Sequence, residues 1–279
     1  MDAVNKTLSN GVQMPTLGFG TWKLTEEQAD AAVCTALHAD YRHIDTATAY
    51  KNEAAVGAAI KKSGVARQDI FLTTKLWNAD QGYQSTLDAL ERSLSMLQTD
   101  YVDLYLIHWP HDRKFFDDWE EKNAQTWRAF ERLYEDGKIR AIGTSNFRPR
   151  HLENLAQNGS VAPMLNQIEF HPGMLQTETR AYCQAHEIAV SGWSPLGSGR
   201  LFTSELLQEI ARNYRKSAAQ LCLRWALQQD VIPVPKSTND ARIRENLDIY
   251  DFKIAQEDME RIGQIDCGWS GLDPDNLLY

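Results

Sequence analysis

The strongest constraint on the fold is a repeat of pattern rather than of letters. Eight short β-like runs alternate with helical stretches at intervals of roughly 30 residues, the signature of a parallel α/β sheet. The runs are MPTLGFG (14–20), YRHID (41–45), IFLTTKL (70–76), YVDLYLIHW (101–109), IRAIGTS (139–145), MLNQIEF (164–170), IAVSGWS (188–194) and VIPVPKS (231–237). Parallel neighbours need a crossover between them, and a helix supplies it. Eight strands joined in this way predict a closed eight-stranded parallel β/α (TIM) barrel, because closure removes both exposed sheet edges. Within SAAQLCLRWALQQ, Ala218, Leu221, Cys222 and Trp225 fall at i, i+3, i+4 and i+7 on one helix face. The opening TLSNGVQMP carries an Asn10-Gly11 hairpin signal, so an N-terminal β-hairpin is expected to plug one barrel end. From about Gln256 the chain reads as a helix and then a loop.

Length and composition agree with this. The chain has 279 residues, close to the roughly 250 of a typical barrel, so one domain over 1–279 is expected. A doubly wound sheet is the main competitor, but LGFGTW offers Gly18 and Gly20 without the third glycine of a dinucleotide fingerprint, and the GSG at Gly197–Gly199 lacks the strand–turn–helix context. The N-terminus shows neither a basic leader nor a long apolar run, which points to a cytoplasmic protein. Cys34, Cys183, Cys222 and Cys267 are scattered and read as reduced thiols, not zinc ligands. The net charge of -9 disfavours nucleic acid and anionic membrane as partners. An anionic ligand would therefore need a local basic cluster.

Chemistry in such a barrel collects where strands end and βα loops begin. Three consecutive strands place ionisable groups there: Asp45 with Tyr50 just beyond it, then Lys75, then His108. Helix capping by Asp45 and surface packing by Tyr50 would explain that pair alone, and Lys75 alone could be an edge residue. Together, adjacent parallel strands would bring Asp45, Lys75 and His108 into one small area beneath Tyr50. A phenol is a poor acid at neutral pH, and a nearby ammonium favours its ionised form. The set suits protonation of a carbonyl oxygen: Tyr50 donates, Lys75 promotes the donation, Asp45 holds Lys75 and His108 orients the oxygen. It contains no source of hydride. A basic cluster also occurs, Lys236, Ser237 and Arg242 at a strand end and the following helix start, where an anion is well received.

LGFGTW, YRHIDTATAYKNE, TTKLWN, VDLYLIHWP, GKIRAIGTSNF, NQIEFHP, WSPLG and VPKSTNDARIREN follow one another in an order that resembles the aldo-keto reductase superfamily nearly end to end. The likeness is greatest to its 2,5-diketogluconate reductases, methylglyoxal reductases and protozoan prostaglandin F synthases. The resemblance implies a barrel that binds NADPH or NADP+ and reduces small-molecule aldehydes and ketones to alcohols by hydride transfer. It implies the tetrad Asp45, Tyr50, Lys75 and His108, with Tyr50 as general acid. It further implies that Ser145, Asn146 and Gln167 hold the nicotinamide carboxamide, with the ring stacked on Trp193. Gly20, Thr21, Asp45 and Ser194 join the cofactor site, Leu196 and Ser198 lie near the pyrophosphate, Lys236, Ser237 and Arg242 hold the ribose phosphate, and Glu245 and Asn246 meet the adenine. Arg244 has no implied ligand.

Two departures from the family pattern stand out. Asp40 occupies a usual glycine position, which requires a left-handed backbone there, and Thr144 replaces an apolar residue. Trp22, Trp77 and Trp109, with Tyr50 and His108, are expected to form the substrate pocket, and His111 to about Asn123 to form a long loop beside it. Glu169 and His171 do not make a metal site, and none is expected. A monomer is expected. A cofactor-binding regulatory subunit, like the potassium-channel β subunits of the superfamily, remains an alternative, and a metal-dependent barrel hydrolase lacks its ligand set.

Overall fold

The computed structural model describes residues 5–112, 114–115, 117–268, 271–275 and 277. Strands β1 (Asn5–Thr7) and β2 (Gln13–Pro15) form an antiparallel hairpin. Its connection is closed by Gly11 N–H to Leu8 O at 2.8 Å and Leu8 N–H to Val12 O at 2.9 Å. Gly11 takes the left-handed φ of 86° that this tight closure requires. Leu8 and Met14 are buried beneath the sheet. Asn10 Nδ2 donates to Arg140 O at 2.9 Å and Lys6 pairs with Asp230 at 2.7 Å, both partners lying just before their strands. The hairpin therefore covers the N-terminal end of the barrel, leaving the end where chemistry gathers open.

The staves run in sequence order, each pair parallel. They are β3 (Phe19–Gly20), β4 (His43–Asp45), β5 (Phe71–Leu76), β6 (Leu104–Ile107), β7 (Ile142–Ser145), β8 (Leu165–Glu169), β9 (Ala189–Trp193) and β10 (Val231–Val234). Between and after them lie α1 (Glu26–His38), α2 (Glu53–Ser63), α3 (Tyr83–Leu97), α4 (Trp119–Glu135), α5 (Pro149–Asn158), α6 (Thr177–Ala185), α7 (Glu205–Asn213), α8 (Ala218–Gln228), α9 (Asp240–Glu245) and α10 (Gln256–Gly263). Leu221, Cys222 and Trp225 of α8 are fully buried with Ala218 partly so, and Trp225 stacks on Phe170 at 4.9 Å. Asp40 takes the left-handed φ, at 76°.

The seam between first and last staves is asymmetric. Gly18 N–H donates to Pro233 O at 3.0 Å and Gly20 N–H to Pro235 O at 2.9 Å. A strand residue's N–H and C=O point to the same side, so the two prolines face β3 with acceptors and no donors. Among the described residues the backbone hydrogen bonds across the seam are donated by Gly18, just before β3, and by Gly20 within it.

Two expectations need correction. The first run, MPTLGFG, is not one strand: Gln13–Pro15 pairs in the hairpin, and only Phe19–Gly20 enters the barrel. Pro15 lacks the N–H to continue the ladder, and the chain bends at Thr16–Leu17. The loop expected to last from His111 to about Asn123 ends sooner, because Asp118 caps α4 by accepting from Glu121 N–H. Arg113 and Phe116 of that loop lie outside the described residues. No helix among the described residues is long and apolar enough to cross a membrane.

Candidate active site

Register brings the site together. Asp45 lies opposite Thr73, and Lys75 lies opposite Leu106 one stave further on. After β4 the chain makes a one-turn helix, Thr48–Tyr50, and Lys51 turns back with a left-handed φ of 56°, which sets Tyr50 over the end of β5. The Lys75 ammonium is fully buried and its three donors are all used. It meets Asp45 Oδ1 at 2.5 Å, Thr46 O at 3.0 Å and Tyr50 Oη at 3.3 Å. Burying a lone ammonium costs several kcal/mol, so this complete set of acceptors is what allows it to remain charged. The second oxygen of Asp45 accepts from Gln167 Nε2 at 2.8 Å.

Burial alone would push Lys75 toward its neutral form, but Asp45 and Tyr50 outweigh it and its pKa is raised. Tyr50 goes the other way from the simple expectation. Desolvation raises its pKa, and the opposing pull of Lys75 does not overcome it. The half-buried phenol thus holds its proton firmly, with the cation that would stabilise a phenolate in contact. His108 follows β6, and burial, then Lys75, holds its pKa well below the usual range, so the imidazole is neutral. Its ring lies 5.7 Å from that of Tyr50 and 5.5 Å from that of Trp77. The sequence reading brought these four residues together, and the structure does the same.

The expected carboxamide-holding residues form one chain of hydrogen bonds. Ser145 Oγ donates to Gln167 O at 3.1 Å, and Asn146 Nδ2 to Ser145 Oγ at 3.1 Å and His108 O at 3.0 Å. Asn146, at a left-handed φ of 65°, accepts from Trp193 Nε1 at 2.8 Å, which fixes the half-buried indole. Thr21 Oγ1 donates to Asp45 O at 3.1 Å, and Gly20 leaves little space beside Val234. Ser194 and Ser198 both take left-handed backbone, and Leu196 packs on the core between them.

Lys236, Ser237, Arg242, Glu245 and Asn246 lie on one segment, the end of β10 and α9. Asn239 caps that helix by accepting from Arg242 N–H at 3.0 Å, and Ser237 Oγ accepts from Asn239 N–H at 3.1 Å. Lys236 and Arg242 are exposed, whereas Ser237 and Asn246 are buried. Among the described residues neither cation makes an ion pair with a carboxylate, so both are available to an anion.

The aromatic mouth differs from expectation in one member. Trp22 is 45% exposed and Trp77 half-buried, but Trp109 is only 7% exposed and stacks behind His108. Phe115, 40% exposed and edge-on to Trp77 at 6.4 Å, stands at the mouth. Sequence reasoning missed it because nothing in a loop sequence fixes where a loop aromatic will turn. It also missed His43, which lies on the inward face of β4 one layer below Asp45, and Glu53, which is buried behind β5. Glu169 is tied to the chain around it, with His171 Nε2 at 3.3 Å and Gly271 N–H at 2.7 Å.

Known proteins resemble this chain in sequence and in fold. A sequence model described as the aldo/keto reductase family matches residues 16–266. The chain is 50% identical over 274 residues to glyoxal reductase of Bacillus subtilis, covering 98% of this chain and 96% of that protein. It is 47% identical over 277 residues to 9,11-endoperoxide prostaglandin H2 reductase of Trypanosoma cruzi, covering 98% and 95%. A variant of Gox0644 solved in complex with NADPH superposes with a TM-score of 0.92 at 37% identity, across 100% of both chains. With the barrel, the converging side chains and these likenesses together, the chain belongs to the aldo/keto reductase family and is an oxidoreductase of that kind.

Proposed function

We propose that the protein reduces small aldehydes and ketones, α-dicarbonyls among them, with NADPH as reductant and Tyr50 as the general acid. One observation carries the reading: the buried Lys75 ammonium spans the Asp45 carboxylate and the Tyr50 hydroxyl. The name of the Bacillus subtilis relative, glyoxal reductase, supports the substrate class, and the NADPH complex of Gox0644 supports the cofactor. The residues fit such a cofactor. Lys236 and Arg242 offer exposed positive charge for a phosphate dianion, and Trp193 offers a flat, fixed face for a planar ring.

Bound NADPH would supply the hydride that the chain itself lacks. The protein's part is the proton and the charge. A carbonyl oxygen placed between Tyr50 and His108 receives a hydrogen bond from each. As negative charge develops on that oxygen, Tyr50 transfers its proton, giving the alcohol. The phenolate left behind is stabilised by Lys75, whose position and charge Asp45 maintains. Neutral His108 polarises the oxygen without competing for the proton.

The test is to follow oxidation of NADPH, with NADH beside it, against glyoxal, methylglyoxal and bulkier carbonyls. Turnover with a strong preference for NADPH is expected, and removing both phosphate-facing cations (Lys236→Ala with Arg242→Ala) should weaken NADPH binding about a hundredfold while leaving NADH nearly unchanged. A native preference for NADH, or no turnover across the panel, would contradict the reading.

A further inference from the structure

Glu53 is the first residue of α2, three positions beyond Tyr50, and only 7% exposed. Its carboxylate is satisfied by hydroxyl groups. Thr74 Oγ1 donates to Oε1 at 2.6 Å and Ser93 Oγ of α3 donates to Oε2 at 3.2 Å, while the Thr48 hydroxyl lies 3.3 Å from Ser93 Oγ and joins the carboxylate through it. Two of these partners are next to the catalytic set in sequence. Thr74 precedes Lys75 on β5, and alternation along the strand puts Thr74 on the outer face while Lys75 points into the barrel. Thr48 opens the turn that ends at Tyr50.

We propose that Glu53 is a positioning residue, a single carboxylate that clamps the turn carrying Tyr50 to the strand carrying Lys75. The inference rests on the roles given to those two residues above. A first-turn glutamate that served only the helix dipole would act equally well exposed, and burying a carboxylate is costly. The distance it guards is sensitive. Tyr50 and Lys75 are 3.3 Å apart, near the outer limit of a hydrogen bond, so a slip of about half an ångström removes the contact. Neighbouring Asn52 supports the same geometry from the other side, accepting from Thr46 Oγ1 at 3.0 Å and donating to Thr21 O at 3.0 Å.

The test compares Glu53→Gln, which keeps shape and loses charge, with Thr74→Val, which breaks the strand side of the clamp and leaves the charge. Each should lower kcat by about ten- to a hundredfold while KM and the Kd for NADPH stay within about threefold. In the alcohol-oxidation direction the rising limb of the pH profile should move to higher pH, because a displaced Tyr50 loses the pull of Lys75 toward phenolate. The double variant should be no worse than the worse single one, since either change opens the clamp. Thr74→Val carries the test where Glu53→Gln does not fold. A lowered Tm with kcat and the pH limb unmoved would overturn the proposal, leaving Glu53 a fastening of the scaffold alone. Tyr50→Phe is measured beside them: if it stays active, the reading of the site fails, whereas an inactive Tyr50→Phe with a normal Glu53→Gln overturns only the clamp.

Discussion

His43 shows what burial does to a titratable group in this barrel. Desolvation lowers its pKa from 6.5 to about 4, with Asp45 opposing and Lys75 reinforcing the shift. Its folded pKa therefore lies below its unfolded one. Below 6.5 the unfolded chain takes up a proton that the folded chain refuses until about 4, so the contribution of neutral His43 is complete above that window and is lost as pH falls through it. The loss attributable to this residue is on the order of 3 kcal/mol at most. Thermal melts across that window should decline less steeply in His43→Gln, which has no proton to take up; an unaltered slope would contradict burial of a neutral imidazole. At this scale the sequence was legible where polar groups meet from neighbouring strand ends, as with Asp45, Lys75 and His108. It was silent on Glu53, because a glutamate at a helix start looks the same whether it faces water or three hydroxyls.

Strands and helices were legible as runs, but their ends were set by partners far away in sequence. β7 illustrates the dependence. A Cβ on Gly143 would lie 2.4 Å from Leu165 O on β8 and 2.9 Å from Leu106 Cδ2 on β6. The close approach of the Leu165 carbonyl and the Leu106 side chain thus requires glycine there, and the carbonyl cannot retreat without disturbing the β7–β8 ladder. Gly143→Ala should cost about 1–3 kcal/mol, read from urea unfolding as a lower midpoint with the slope unchanged. A midpoint equal to that of the native protein would contradict the tight packing of this stave against its neighbours. The same dependence explains why MPTLGFG read as one strand. Alternation could not reveal that Pro15 ends a hairpin while Phe19 starts a barrel, because both segments are apolar on the buried side.

The whole molecule is an acidic barrel, with a net charge of -9, that presents Lys236 and Arg242, both exposed, beyond its last stave and buries the Lys75 ammonium at its centre. The barrel as a class, and the end at which its site lies, were legible from the count and order of runs. The one-sided seam was not, since its meaning depends on which edge Pro233 and Pro235 turn toward β3. What the architecture achieves is convergence: β4, β5 and β6 each deliver one polar group to a point that none could form alone. The direct test of that claim is single-turnover mixing of Tyr50→Phe with NADPH and methylglyoxal, with cofactor binding followed by tryptophan fluorescence and hydride transfer by NADPH absorbance. The expected result is a Kd for NADPH within about threefold of native and hydride transfer slowed by about 10²–10⁴-fold. Hydride transfer at the native rate in a protein lacking that hydroxyl would contradict it.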